Sequence, residues 1–266
     1  MFTADLAILV LGYARPQLLR NVLESLKRQN AIGSAHVWID GTADRMEIRA
    51  DVAGCAAIAR EYEIADLRTH HGHLGIEKLM LDALAELSEN FDKIIVLEDD
   101  CFPSRNAVPA FLQCLAEVEQ RPDIFSVYGH HFLTPEERDT FSRFQGWGWA
   151  TTRTKLLPIL QEVYRLFALS EAAYLAYTRA HLTPEIVARL NVTPGRNVTE
   201  VLARFFSWDS CTALITAKRG LGHMRTPERV VFNCGLGNES GHFADKTHLR
   251  LPPFNMIRPD EVWNHF

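Results

Sequence analysis

Short apolar runs alternate along the chain with stretches in which apolar residues recur every three or four positions. LAILVLG (6–12), HVWID (36–40), IADLRT (64–69), KIIVLED (93–99) and IFSVYG (124–129) are predicted strands. Leu18, Leu19, Val22, Leu23 and Leu26 share one helical face, and Pro16 is placed to open that helix. Residues 44–62 and 105–120 read as helices, and Ile76, Leu79, Met80, Ala83, Leu84 and Leu87 form a helical stripe over 76–90. Strand and helix in regular alternation mean βαβ units, hence an α/β fold with a mainly parallel sheet flanked by helices.

The second half has a different texture. Residues 131–145 read as a loop and GWGWATT (146–152) as a glycine–tryptophan turn. Residues 154–190 are mostly helical, with interruptions expected at Pro158 and Pro184, and 191–197 is a loop. Asn197-Val-Thr-Glu200 has the form of a capping box and opens a predicted helix to about Lys218, stopped by Gly220. ERVVFN (228–233) is a strand, and the sequence from CGLGNESGHF onward reads as an irregular tail, so the second half is expected to be a largely helical region with an irregular end.

In parallel sheets ligands bind beyond the carboxyl ends of the strands. Those ends here are Gly12-Tyr13-Ala14-Arg15, Asp40-Gly41, His70-His71-Gly72-His73 and Glu98-Asp99-Asp100, and all four are expected to face one crevice. Three acids directly after IIVL are more than a solvated loop requires. Hard divalent cations such as Mn²⁺ and Mg²⁺ prefer carboxylate oxygen and share their shell with substrate phosphates, so the triplet is a candidate metal site. Alternation along an extended strand lets Glu98 and Asp100 point one way and Asp99 the other. The three nearby histidines lack a fourth ligand spaced for zinc. Asp209 falls on one face with Leu202, Phe206 and Ala213 of the predicted 198–218 helix, where a carboxylate interrupts an apolar stripe and needs a partner or a purpose.

Composition narrows the class only modestly. With 266 residues, 47% hydrophobic and 23% charged, the chain can bury a sizeable core. A net charge of −5 disfavours nucleic acid as a partner. Five cysteines without C-x-x-C spacing point to free thiols in a reducing compartment. The six-residue apolar run near Met1 is too short for a membrane span and lacks a basic flank, so a cytoplasmic location is expected.

A strand ending in E-D-D about one hundred residues into a βαβ chain resembles the D-x-D-type motif of GT-A glycosyltransferases, and most closely the N-acetylglucosaminyltransferase I family and its bacterial relatives. LGYARPQLLRNVLESL, WIDG, HGHLGIEKLMLDAL, GWGW, SWDS and RVVFNCGLGNESGH are similar to further segments of that family, in order, over residues 6–243. The resemblance implies a metal-dependent transferase that moves a sugar from a UDP-sugar, UDP-N-acetylglucosamine among the candidates, to an acceptor hydroxyl with inversion. The acceptor would be a glycan, glycolipid or protein, as in polysaccharide biosynthesis. Residues 1–130 would form the donor half and 131–266 the acceptor and catalytic half of one domain.

Carried over by position, Asp100 would hold Mn²⁺ or Mg²⁺, Asp99 would contact ribose and Glu98 the sugar hydroxyls. Asp40 would accept a hydrogen bond from the base, and Arg15 would lie against base or phosphates. His73 and Lys78 would help neutralise the diphosphate, Trp147 together with Trp149 would wall the sugar, and His242 would stand near the metal. Asp209 would be the catalytic base. Ordinary alternatives stay open for each: a surface arginine or lysine, a loop histidine, a packed tryptophan, a paired acid. Two other readings also stand. A sugar nucleotidyltransferase would need a glycine-rich loop after the first strand, where LGYARP has one glycine. A transferase-like domain that binds nucleotide or glycan without turnover would not need its acids intact.

Overall fold

The computed structural model describes residues 5–132, 140–193, 197–236 and 247–266. The first half runs β1 (Leu6–Gly12), α1 (Pro16–Arg28), β2 (Ala35–Ile39), α2 (Arg49–Glu61), β3 (Asp66–Thr69), α3 (Ile76–Asn90), β4 (Lys93–Glu98), β5 (Cys101–Pro103), α4 (Ala107–Glu119) and β6 (Ile124–Tyr128). The second half adds β7 (Thr140–Phe141), β8 (Trp149–Thr152), α5 (Arg153–Phe167), α6 (Glu171–His181), α7 (Pro184–Leu190), α8 (Val198–Leu202), α9 (Trp208–Lys218), β9 (Gly222–Arg225) and β10 (Val231–Asn233).

Eight strands form one sheet in the order β3-β2-β1-β4-β8-β6-β9-β7, and β5 pairs with β10 in a separate two-stranded ribbon. Neighbours from β3 to β4 are parallel, as are β6 and β9, while β8 and β7 run against their partners. The fold is the predicted α/β type with a mainly parallel sheet flanked by helices, and strands from both halves of the chain share it. β1 is buried on both faces, which is why LAILVLG has no polar alternation. Ala7, Leu9 and Leu11 pack with Ile94 and Val96 of β4 against α3, α5 and α9. Leu6, Ile8 and Val10 pack with Ile95 and Leu97 against α1, α2 and α4.

Several sequence expectations change. Pro158 lies inside α5 without ending it. Its ring faces solvent, so the carbonyl it leaves unbonded is open to water, while Leu156, Ile159, Leu160 and Val163 hold the helix on the core. Pro184 does open a new helix. The glycine–tryptophan turn leads directly into β8, an internal strand, and Trp149 is core, edge-on to Phe144 at 4.9 Å. Part of the expected 131–145 loop is the edge strand β7, and β9 has no counterpart among the expected strands. All five cysteines are buried and free of disulfides. No helix among the described residues is long and apolar enough to cross a membrane.

The predicted 198–218 helix is two helices with residues 203–207 between them. Asn197 does accept from the Glu200 N–H at 3.1 Å and opens the first. The break follows from tertiary contacts. The Tyr174 hydroxyl donates to the Phe205 carbonyl at 3.1 Å, and Phe206 packs on Phe167 with ring centroids 5.1 Å apart. Asp209 therefore does not share a face with Leu202 and Phe206. It stands in the first turn of α9, where a carboxylate suits the helix dipole.

Gly148 shows how tightly the turn into β8 is built. Its φ is +66°, and a Cβ there would meet Val231 Cγ1 at 2.5 Å. Gly148→Ala combines left-handed strain with overpacking and should destabilise the protein by about 2 kcal/mol or more. Urea denaturation checks this, and adding Val231→Ala should recover the steric part of the loss but not the backbone part.

Candidate active site

The strand order reverses at β1, which has β2 on one side and β4 on the other. A crevice must open beyond the carboxyl ends at such a point. Here it holds a cleft of about 610 Å³, in the ordinary range for small-molecule sites. The end of β1 supplies Gly12, Tyr13 and Arg15, β2 supplies Asp40, and the following loop supplies His73 and Gly75. Glu98, Asp99 and Asp100 come from the end of β4, Gly146 and Trp147 from the turn before β8, and Phe205, Ser207, Trp208 and Asp209 from the α8–α9 junction.

The acidic turn is organised by Arg15. Its Nη1 donates to Asp100 Oδ2 at 2.7 Å and its Nη2 donates to Asp99 Oδ1. The Asp99 N–H donates to the Leu11 carbonyl at 2.9 Å, which continues the β1–β4 ladder by one step and fixes the turn. Both aspartates meet one guanidinium, so they do not diverge as strict alternation predicts. β4 ends at Glu98 and the next two residues turn. Glu98 keeps the strand register: it lies on the same face as Ile94 and Val96, the face on which α9 packs.

Three carboxylates share one counter-ion. Burial, then Asp100, Asp99 and Asp209, push the Glu98 carboxyl up to about 8 against the pull of Arg15. Burial and Asp100 raise Asp99 to about 6, again opposed by Arg15. Burial works against the Arg15 charge, but Asp100 and Asp99 outweigh it and hold its pKa above the usual range. The turn carries more negative charge than Arg15 offsets. Gly235 crosses directly over it: a Cβ at that position would meet Asp100 Oδ2 at 2.7 Å, and the Cys234 N–H donates to the Asp100 carbonyl at 2.7 Å.

Asp209 enters the same cleft from the start of α9, near enough to Glu98 to help raise its pKa, and is half-buried. Its Oδ1 accepts from the Ser210 N–H at 2.7 Å, from Ser210 Oγ at 3.3 Å and from Ser207 Oγ. These bonds all go to one oxygen and fix the plane of the carboxylate. Ser207 is the N-cap residue of α9 by position, yet its hydroxyl serves Asp209. Serine two places before an aspartate is a helix-start signal, and read that way SWDS would have exposed the break and brought Ser207 into the site.

The remaining candidates divide. Asp40 is buried at 3% exposure, and its carboxylate is committed to the protein. Oδ1 accepts from the Gly41 and Leu74 N–H groups at 2.8 and 2.7 Å, and Oδ2 from Gly75 N–H at 3.0 Å and His73 Nδ1 at 2.7 Å. Four donors fill a carboxylate's acceptor sites, so the geometry opposes base recognition by Asp40 and makes it the anchor of loop 73–75 at the start of α3. His73 lies beside Tyr13, with ring centroids 5.3 Å apart. Trp147 lines the cleft and is held by His130 and Phe132, 5.1 and 5.0 Å from its ring. Lys78 is not brought to the cleft: it is exposed and pairs with Asp82 one turn along α3 at 2.7 Å. His242 lies outside the described residues. Among those residues, no group of three or more His, Cys, Asp or Glu side chains is arranged to hold a metal. Tyr13, Glu77, Phe205 and Trp208 line the cleft without having been singled out from the sequence.

No family model matches the chain, and no curated protein does. Several solved structures are similar to it. A mannosyltransferase of Pyrobaculum calidifontis, PcManGT, in complex with GDP-Man and Mn²⁺, shares 16% identity at a TM-score of 0.47 and covers 86% of this chain. The S. aureus TarS 1–349 structure shares 9% at 0.45 over 85% of this chain. A cytidylyltransferase from Leptospira borgpetersenii shares 17% at 0.37 over 69% of this chain and 71% of its own. The chain spans 56% of the mannosyltransferase chain and 59% of the TarS one. Transferases of sugars and of nucleotides both occur among these structures.

Arg15→Gln leaves two buried aspartates without their counter-ion. It should cost about 3 kcal/mol at pH 8 and less at pH 5, where Asp99, raised to about 6 even beside Arg15, is protonated. Denaturant titrations at the two pH values check this. Glu98→Gln should act the other way. Because the native-state pKa is raised, the unfolded chain ionises first, and this residue's contribution to stability falls as pH rises from 4.5 to about 8. The variant should therefore gain on the wild type through that window, with no further gain above it.

Proposed function

We propose that the protein is a GT-A-type glycosyltransferase. It transfers a sugar from a nucleoside-diphosphate donor, a UDP-sugar by resemblance to the N-acetylglucosaminyltransferase I family, to an acceptor hydroxyl with inversion. The observation that carries this reading is one cleft that joins an acidic turn to an oriented carboxylate, Asp209, from a separate element. Inverting transfer needs both: the acidic turn would serve the leaving diphosphate, and Asp209 the hydroxyl that attacks the opposite face of the anomeric carbon.

The donor set at the turn fits a hard cation. Its ligating atoms are carboxylate oxygens, its charge exceeds what Arg15 offsets, and such cations need only one or two protein carboxylates when phosphate and water complete the shell. Asp100, with Glu98 beside it, would hold Mn²⁺ or Mg²⁺. The bound ion would neutralise charge on the departing nucleoside diphosphate. Arg15, released in part from Asp100, is positioned to meet a phosphate oxygen, and Asp99 keeps the remaining half of the fork. Asp40 holds loop 73–75, so that Tyr13 and His73 face the base. Trp147 offers an apolar wall to the sugar.

Asp209 would take the proton from the acceptor hydroxyl as the new bond forms. Ser207 and Ser210 hold its carboxylate in one plane, which limits the reorganisation the step requires. A nucleotidyltransferase would need a glycine-rich loop after the first strand, which LGYARP lacks. Asp209→Asn should lower transfer by about 10²-fold or more, the contribution of a general base, while UDP still binds. Paired kinetic and calorimetric measurements check this. NMR of the product should show the anomer opposite to the donor's, and retention would contradict the assigned role of Asp209.

A further inference from the structure

The α8–α9 junction carries two adjacent phenylalanines with opposite fates. Phe206 turns inward to Phe167 and Tyr174, with ring centroids at 5.1 and 5.9 Å. Phe205 turns outward and is 54% exposed, yet it lines the cleft. A loose loop does not explain that exposure. The Phe205 N–H donates to the Val201 carbonyl at 3.1 Å, and its carbonyl accepts from the hydroxyl of Tyr174, itself 2% exposed. The backbone is fixed at both ends of the residue, and the ring stands out in water four positions before Asp209. Scattered exposed apolar residues are ordinary on a surface. An anchored aromatic at the rim of a carboxylate-bearing cleft is a binding feature, because aromatic faces take the apolar face of another ring.

We propose that Phe205 is the acceptor platform, and that the acceptor is a glycoside or oligosaccharide rather than a free monosaccharide. This rests on the glycosyltransferase reading above. Asp209 is half-buried and takes the reacting hydroxyl, whereas Phe205 is more than half exposed and belongs to the outer part of the same wall. A ring attached to the reacting sugar then lies over Phe205. Trp208 gives the inner part of the wall its floor: a Cβ on Gly146 would stand 3.3 Å from the indole, so that side of the cleft is closed by direct packing.

The test compares wild type, Phe205→Ala and Phe205→Trp. Each is assayed with UDP-sugars against p-nitrophenyl glycosides and the matching free monosaccharides, and UDP binding in Mn²⁺ is measured in parallel. In the wild type the aryl glycosides should show a KM about tenfold below that of the free sugars, the factor that about 1.4 kcal/mol gives. Phe205→Ala should erase that advantage, Phe205→Trp should keep it, and the Kd for UDP should be equal in all three. An unchanged aryl preference in Phe205→Ala, or UDP-sugar binding without use of any aryl glycoside, overturns the platform alone. A wild type that binds no UDP and transfers no sugar overturns the glycosyltransferase reading and the platform with it.

Discussion

Three carboxylates at the end of a buried strand repel one another, and the Arg15 guanidinium is what allows the chain to turn there. The contact joins the first strand to the fourth, across 84 and 85 positions of sequence. It depends on β1 and β4 being neighbours where the strand order reverses, and it stabilises that arrangement in return. One arginine cannot satisfy three acids, and the surplus shows in the raised pKa values of Glu98 and Asp99. The turn is stable enough to fold and charged enough to attract a cation. Those two properties have the same origin.

The α9 side of the cleft is built differently. α9 is buried over nearly its whole length, from Ser210 to Ala217, and its Thr212 and Thr216 hydroxyls bond back to carbonyls one turn earlier. A helix so enclosed is a rigid support. Asp209 stands at its start, oriented by two serines, where the chain emerges from the break after α8. A carboxylate placed rigidly in the same cleft as a charged turn is the arrangement that the proposed transfer calls for.

Much of this was legible in the sequence, and the reason differs by element. β1, β2 and β4 and the α1 and α3 helices announce themselves because parallel strands buried on both faces read as nearly unbroken apolar runs and amphipathic helices read as stripes, whereas β3, a part-exposed edge strand, gives a weaker signal. Their ends follow, so the convergence of Arg15, Asp40, His73 and Glu98–Asp100 was legible too. The second half was legible only in part: the helices within 154–190, the cap at Asn197 and the strand in ERVVFN could be read, but not β7, β8, β9 or the break before α9. β8 contains Trp149-Ala-Thr-Thr, whose threonines are buried because Thr151 Oγ1 donates to the Phe125 carbonyl at 2.7 Å. β7 is two residues long and exists only by pairing with β9. The break before Asp209 comes from Tyr174 and Phe167, far away in sequence. The roles of Asp40 and Arg15 depend on partners, and residue type alone cannot reveal that Asp40 is already saturated by backbone N–H groups.

If the cleft binds a nucleoside diphosphate through a cation held at the acidic turn, thermal unfolding of wild type and Asp100→Ala with UDP, GDP or CMP, each with and without Mn²⁺, will show it. Ligand at about 100 times its Kd adds roughly 2.7 kcal/mol to the native state, well within what such a scan resolves. The account predicts stabilisation by UDP that requires both Mn²⁺ and Asp100. A shift with none of the nucleotides, or one that ignores Mn²⁺ and survives Asp100→Ala, would contradict it.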